Sequence, residues 1–129
     1  MRLLLDTSVL IDALRLRRRR RELLAELVQA GHTLATTALN VAEIYAGMRP
    51  NEEQRTEALL GALDSYDLTG TSARRAGALK QQWARKGRTL ALADMIVAAI
   101  ALERSCTLMT DNRKDFPMEE LDKFDLPES

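Results

Sequence analysis

Apolar residues follow two alternating patterns along the chain. Residues 3–6, 32–37 and 107–110 are short runs rich in apolar or β-branched residues, which predict β-strands. Residues 65–69 and 124–126 are weaker strand candidates, the second at a sheet edge. Between these runs, apolar residues recur at spacings of three and four. This spacing predicts helices after residue 8, from residue 23 to Gly31, and over residues 39–48, 52–63, 72–86 and 91–104.

Short strands that alternate with helices are typical of a parallel sheet covered by helices on both faces. A chain of 129 residues is long enough for one domain with a hydrophobic core and too short for two. We therefore predict a single α/β domain over residues 1–129. No internal repeat or low-complexity linker interrupts it, apart from one run of arginines.

Composition narrows the class of protein. Apolar residues make up 46% of the chain and charged residues 29%, which is typical of a soluble globular protein. No apolar run reaches the roughly 18 residues that span a bilayer, and the amino terminus becomes polar too soon for a secretory signal. We therefore expect a cytoplasmic protein without membrane contact. The single cysteine, Cys106, is expected to be a small buried apolar residue.

Five acidic residues lie within or directly after apolar segments, where soluble domains place few charges. They are Asp6, Glu43, Asp94, Asp111 and Asp115. Asp6 and Asp111 follow predicted strands, whose carboxyl ends share one edge of a parallel sheet, and Asp94 lies in the first turn of a helix. Taken singly, Asp94 could be an acid that interacts with the helix dipole, and Glu43 an exposed helix charge.

As a group, these acids indicate a metal site. Carboxylates brought together repel one another unless a cation lies between them. The absence of a histidine or cysteine cluster favours Mg²⁺ or Mn²⁺ over zinc. Carboxylate-bound Mg²⁺ takes its remaining ligands from water and phosphate oxygens, which points to hydrolysis of phosphodiester bonds by a metal-activated water.

Four segments, in this order along the chain, resemble the motifs of PIN domains. They are Leu5-Asp6-Thr7-Ser8, Glu43 after Asn40-Val41-Ala42, Leu92-Ala93-Asp94-Met95-Ile96-Val97-Ala98, and Thr110-Asp111-Asn112 with Asp115-Phe116. The match covers essentially the whole chain. Because the chain is small, it most resembles the VapC-type toxins of bacterial and archaeal toxin–antitoxin pairs. The resemblance implies a three-layer α/β/α sandwich around a mainly parallel five-stranded sheet.

The same resemblance implies an activity and partners. It implies a Mg²⁺- or Mn²⁺-dependent endoribonuclease with an RNA substrate, a homodimer, and a cognate antitoxin that blocks the site, with assembly into a larger complex left open. By position, Asp6 and Asp94 are the principal metal ligands and Glu43 is the third acid. Asp115 is favoured as the fourth, with Asp111 as its competitor. The supporting residues implied at this site are Ser8, Thr110, Asp111 and Asn112.

Arginine occupies six of the seven positions from Arg15 to Arg21, although the net charge of the chain is zero. One interpretation is a solvated helix start. The other is contact with an RNA backbone or with the antitoxin, because arginines in a first helical turn repel one another and oppose the helix dipole. The candidate contact residues are Arg15, Arg17, Arg18 and Arg19.

Three alternatives to a toxin nuclease stay open. The first is a PIN-like nuclease that acts in RNA processing or on structured DNA without a toxin role. The second is a receiver-like or phosphatase-like Mg²⁺-binding domain, for which the early motif has only a single acid. The third is a structural domain whose acids are capped or ion-paired.

Overall fold

Four parallel strands form the central sheet of the computed structural model, which describes residues 1–128. Their order is β3-β2-β1-β4, and every neighbouring pair is parallel. The strands are β1 (Arg2–Leu5), β2 (Thr33–Thr37), β3 (Asp64–Tyr66) and β4 (Thr107–Met109). The predicted parallel α/β architecture is therefore confirmed.

The prediction of a fifth strand over residues 124–126 is wrong. The nearby chain touches the sheet through one isolated parallel bridge between Leu108 and Lys123. Around it, the Phe124 N–H donates to the Leu108 carbonyl at 2.8 Å, and the Leu108 N–H donates to the Asp122 carbonyl at 2.8 Å. The pairing does not extend into residues 124–126, which form no strand.

Helices cover both faces of the sheet. In residues 1–128 they are α1 (Thr7–Leu14), α2 (Arg20–Gln29), α3 (Ala38–Ala46), α4 (Glu53–Gly61), α5 (Gly70–Arg85) and α6 (Leu92–Glu103). None of them is both long and apolar enough to cross a membrane.

The alternation of side chains along β1 divides the core into two clusters. Leu4 points to one face, where it joins the cluster that contains residues of α5 and α6. Leu3 and Leu5 point to the other face, where they pack with residues of α1, α2 and α3. The expected three-layer sandwich is thus present. Cys106 is 5% exposed and belongs to the first cluster, so its predicted burial is confirmed.

Only the last two members of the arginine run, Arg20 and Arg21, lie in a helix, so the interpretation of the run as a helix start holds for its end alone. Helix α1 ends at Leu14, and α2 begins only at Arg20. Between them, Leu16, Arg18 and Arg19 have φ angles of 55°, in the left-handed region that non-glycine residues rarely adopt. This connection turns the arginines in different directions, whereas a continuous helix would have stacked like charges.

Candidate active site

Asp6 lies at the carboxyl end of β1, where the strand passes into α1. Its Oδ1 accepts a hydrogen bond from the Thr7 backbone N–H at 2.9 Å, so the carboxylate also caps the helix. Its Oδ2 accepts a hydrogen bond from the Thr110 hydroxyl at 2.8 Å. Burial raises the pKa of the Asp6 carboxyl above its ordinary value, and the negative charge of Glu43 acts in the same direction.

The ends of β1 and β4 meet at this edge of the sheet. The Asp6 N–H donates to the Met109 carbonyl at 2.9 Å, which joins the two strand ends through the backbone. Thr110 is 1% exposed, and its hydroxyl accepts the Asn112 N–H at 3.0 Å while it donates to Asp6. Thr110 therefore connects the turn after β4 to the carboxylate after β1.

Glu43 reaches the same place from α3. The Thr7 hydroxyl donates to Glu43 Oε1 at 2.8 Å and accepts a hydrogen bond from Asn40 Nδ2 at 2.9 Å. Asn40 is fully buried, and its amide also lies 3.4 Å from Asp6 Oδ1. Sequence reasoning missed the role of Asn40, although its position three residues before Glu43 places both on one helix face.

Asp94 lies in the first turn of α6, as predicted. Burial is the main reason that the pKa of its carboxyl is raised from 3.8 to about 6. The negative charges of Asp6, Asp115 and Glu43 act in the same direction. Asp94 is therefore more than a surface acid at a helix terminus, because it shares an electrostatic field with three other acids. We call Asp6, Glu43, Asp94 and Asp115 the acidic site.

The acidic site contains oxygen donors without a cation. Within residues 1–128, none of its four carboxylates pairs with a lysine or arginine side chain. In the same part of the chain, no three Asp, Glu, His or Cys side chains converge closely enough to hold a metal ion by themselves. Two residues after Asp6, the buried Ser8 hydroxyl has no hydrogen-bond partner. This donor set fits a hard divalent cation, which prefers oxygen ligands.

The turn after β4 carries the remaining candidates. Asp115 ends a short 3₁₀ turn (Arg113–Asp115), and its N–H donates to the Asn112 carbonyl at 2.9 Å. The negative charge of Asp115 contributes to the raised pKa of Asp94. Asp111, in contrast, is bound by arginines: its Oδ1 lies 2.8 Å from Arg20 Nη2 and 2.9 Å from Arg18 Nη1.

A third arginine of the run, Arg15, pairs with the buried acid Glu52. Arg15 Nε lies 3.1 Å from Glu52 Oε2, and the Arg49 N–H donates to Glu52 Oε1 at 2.8 Å. Hydrogen bonding by Arg15 is the main cause that lowers the pKa of the Glu52 carboxyl from 4.5 to about 2. We call these paired residues the arginine cluster; its members are Arg15, Arg18, Arg20, Glu52 and Asp111.

The other two candidate contact arginines face solvent. Arg17 is exposed, and the side chain of Arg19 is 79% exposed, with a 3.8 Å contact to Glu22. The structure thus divides the run into members that pair with Glu52 or Asp111 and members that project outward. Sequence reasoning did not single out Arg20, the most deeply buried of them, because a charge run gives no sign of which member points inward.

Comparisons with known proteins agree with one another. The family model for the PIN domain matches residues 3–123. The chain is 33% identical over 115 residues to ribonuclease VapC19 of Mycobacterium tuberculosis, covering 89% of this chain and 92% of that protein. It is also 33% identical over 116 residues to ribonuclease VapC10 of the same organism, covering 90% of this chain and 86% of that protein.

Two solved structures are similar in fold. The toxin–antitoxin complex from Klebsiella pneumoniae matches with a TM-score of 0.76 and 29% identity, over 92% of this chain and 94% of that chain. VapBC2 from Rickettsia felis, bound to a DNA fragment from its promoter, matches with a TM-score of 0.85 and 22% identity, over 98% of this chain and 100% of that chain.

Proposed function

This chain belongs to the PIN domain family, in its VapC-type group, and we propose that it is a divalent-metal-dependent endoribonuclease and the toxin of a toxin–antitoxin pair. The observation that carries the proposal is the acidic site, where carboxylates from three helices or their caps and from one turn share a negative field with no cationic side chain. Placing uncompensated carboxylates together is unfavourable unless a ligand uses them. The relatives named VapC ribonucleases support RNA as the substrate.

Mg²⁺ or Mn²⁺ would be held by Asp6 and Asp94 as principal ligands, with Glu43 and Asp115 completing the set. Such a cation, when bound, polarises a phosphoryl oxygen and lowers the pKa of a coordinated water. The protein contributes orientation. The Thr110 hydroxyl and the Thr7 N–H fix the two oxygens of Asp6, and the Thr7 hydroxyl fixes Glu43.

Asp115 is a better candidate than Asp111 for the fourth acid. The charge of Asp115 raises the pKa of Asp94, so the two carboxylates lie near each other. The Oδ1 of Asp111 already accepts from two guanidinium groups, and a cation would have to compete with both of them. We therefore propose that Asn112 and Asp111 support this turn and that Asp115 is the acid that faces the ligand.

RNA contact is assigned to exposed basic side chains. Arg17 and Arg19 project from the loop between α1 and α2, whereas Arg15 and Arg18 are engaged with acids of the arginine cluster. Arg88 Nη2 donates to the Lys114 carbonyl at 2.7 Å, so a second exposed basic side chain lies next to the residue before Asp115. Phosphate groups that follow these cations would pass over the carboxylates.

A cognate antitoxin and a second copy of the chain are proposed partners in the cytoplasm. The similarity to the Klebsiella pneumoniae toxin–antitoxin complex supports the first of these. Exposed apolar side chains provide surface for such contacts, since Leu16 is 64% exposed and Leu92 is 50% exposed. Leu16 also lines an apolar groove with Leu24 and Leu59, which a partner would cover.

Asp94→Asn is the variant that tests the proposal. It replaces a charge by an isostere, so we expect RNA cleavage to fall by about 100- to 1,000-fold while the fold is retained. The matched control is Asp67→Asn, since Asp67 is exposed and lies outside the acidic site. RNA ends are mapped after brief induction of each protein, and purified proteins are compared by circular dichroism.

Two results would contradict the proposal. Full activity of Asp94→Asn would remove the metal-dependent mechanism. Cleavage by the wild type without growth arrest, or growth arrest that the cognate antitoxin does not relieve, would favour a nuclease of RNA processing or structured DNA over a toxin.

A further inference from the structure

Arg20 is the bulkiest side chain that the fold buries completely. It is 0% exposed, and its Nη2 lies 2.8 Å from Asp111 Oδ1. Asp111 also receives Arg18 at 2.9 Å, although Arg18 itself is 41% exposed. A buried ion pair is often no more stabilising than apolar side chains of the same volume. Stability alone is therefore a weak reason for this arrangement.

The position of Asp111 suggests a different reason. It follows Thr110, whose hydroxyl donates to Asp6, and it precedes Asn112, whose N–H donates back to the Thr110 hydroxyl. The next turn of chain ends at Asp115. Asp111 thus anchors this turn from the inside through two ion pairs, whereas the ion pair of Arg113 with Asp125 lies at the surface. The same turn carries both a hydrogen-bond donor to the acidic site and one of its acids.

We propose that Arg20 and Asp111 are a positioning pair for catalysis, which holds the turn after β4 so that Thr110 and Asp115 stay in place beside Asp6 and Asp94. The proposal rests on the proposed ribonuclease function. Neither Arg20 nor Asp111 touches substrate in it; both act through the 110–115 segment.

The backbone before Arg20 supports this assignment. Arg18 and Arg19 adopt left-handed conformations that are unfavourable for residues with a side chain. Such strain persists where surrounding contacts impose it, and it concentrates at functional sites. Here the strained loop directs Arg18 and Arg20 toward one carboxylate oxygen from two sides.

The test replaces the pair by apolar residues of similar size. In Arg20→Met/Asp111→Leu no buried charge is left unpaired, so we expect a folded protein. If the pair positions the turn, steady-state cleavage of a labelled RNA should show kcat lowered by about 100-fold with KM little changed. Two-dimensional amide spectra should show shifts over residues 110–115 and faster hydrogen exchange of the Asn112 N–H.

Arg15→Met/Glu52→Leu is the matched control, because it removes the other buried ion pair, which does not contact residues 110–115. We expect its kcat to stay within about twofold of wild type when measured below its melting temperature. The inference is overturned if the Arg20/Asp111 double variant is folded and equals this control in kcat and in Asn112 exchange.

Two further comparisons prevent an undecided result. If the double variant does not fold, Arg20→Lys is measured, because it keeps the charge but loses the planar guanidinium; a kcat within about twofold of wild type overturns the inference. If wild type cleaves no RNA, the proposed function fails, while the amide spectra still decide whether the pair holds the turn.

Discussion

The acidic site and the arginine cluster both contain carboxylates, but only those of the arginine cluster are paired with guanidinium groups. In the arginine cluster, Glu52 and Asp111 each accept from a guanidinium group. In the acidic site, Asp6 is held only by neutral donors, from Thr7, Thr110 and Asn40. The carboxylates of the arginine cluster thus have their counter-charge within the chain, whereas those of the acidic site, which we propose to bind a cation, have none within residues 1–128.

The two regions also differ in the direction in which carboxyl pKa values move. The pKa of Asp94 is raised to about 6, chiefly by burial, and that of Glu52 is lowered to about 2, chiefly by Arg15. Burial raises the pKa of both carboxyls, so burial alone does not separate them. The presence or absence of an arginine partner does.

Breaking the arginine cluster should have the largest effect on stability. Arg20→Met leaves Asp111 with the half-exposed Arg18 as its remaining partner, and we expect the free energy of unfolding to fall by roughly 1 to 3 kcal/mol in urea titrations. Asp94→Asn, which removes a charge from the acidic site, should leave stability unchanged or raise it in the absence of metal. A loss below about 1 kcal/mol for Arg20→Met would contradict the contrast.

A change of pH should affect stability less than Arg20→Met does, and it tests the same contrast between Asp94 and Glu52. Asp94 titrates near 3.8 when unfolded and near 6 when folded, so the folded protein takes up its proton first and becomes more stable as the pH falls through 6. Glu52 titrates near 4.5 when unfolded and near 2 when folded, so its contribution is present above 4.5 and is lost as the pH falls toward 2.

The melting temperature of the metal-free protein measures both effects. We expect it to rise as the pH is lowered from about 7.5 to about 5, and to fall again at more acidic pH. In Asp94→Asn the rise should be smaller, since that group no longer titrates. An identical profile in the two proteins would show that Asp94 is not perturbed as described.

The smallest effect is expected outside both regions. Arg17→Ser alters an exposed side chain, so the free energy of unfolding should change by no more than about 0.5 kcal/mol. If Arg17 contacts RNA, KM should rise and depend less steeply on salt, because one phosphate contact is lost. Unchanged KM at low and high salt would restrict RNA contact to other basic residues, such as those beside Asp115.

Much of the framework follows from local sequence. The apolar runs of β1 and β4 predict parallel strands, and parallel strands end at one edge, so the meeting of Asp6 with Thr110 could be predicted across 104 positions. Position in the first turn of a helix likewise located Asp94. These inferences succeed because the apolar periodicity and the direction of the strands determine where in the fold each residue is attached to the backbone.

Other features depend on tertiary contacts that leave no local pattern. The sequence does not reveal that Arg20 rather than Arg19 turns inward to meet Asp111, 91 positions away, because left-handed residues interrupt the helix there. Residues 124–126 likewise leave no local sign that their contact with β4 is limited to one bridge beside them, between Leu108 and Lys123. The contacts of Asn40 with Asp6 and Thr7 could not be predicted either, because nothing in the sequence of α3 distinguishes it from the surrounding helix residues.

Asp6 is both the cap of α1 and an acid of the acidic site, and this affects which residues evolution can accept at position 6. Loss of nuclease activity does not release position 6 from selection, because the cap of α1 still contributes roughly 1 kcal/mol to the fold. A descendant that no longer cleaves RNA would tend to keep aspartate there, or exchange it for asparagine or serine. An aspartate at this position therefore says less about retained activity than one at Asp94, which makes no capping contact within residues 1–128.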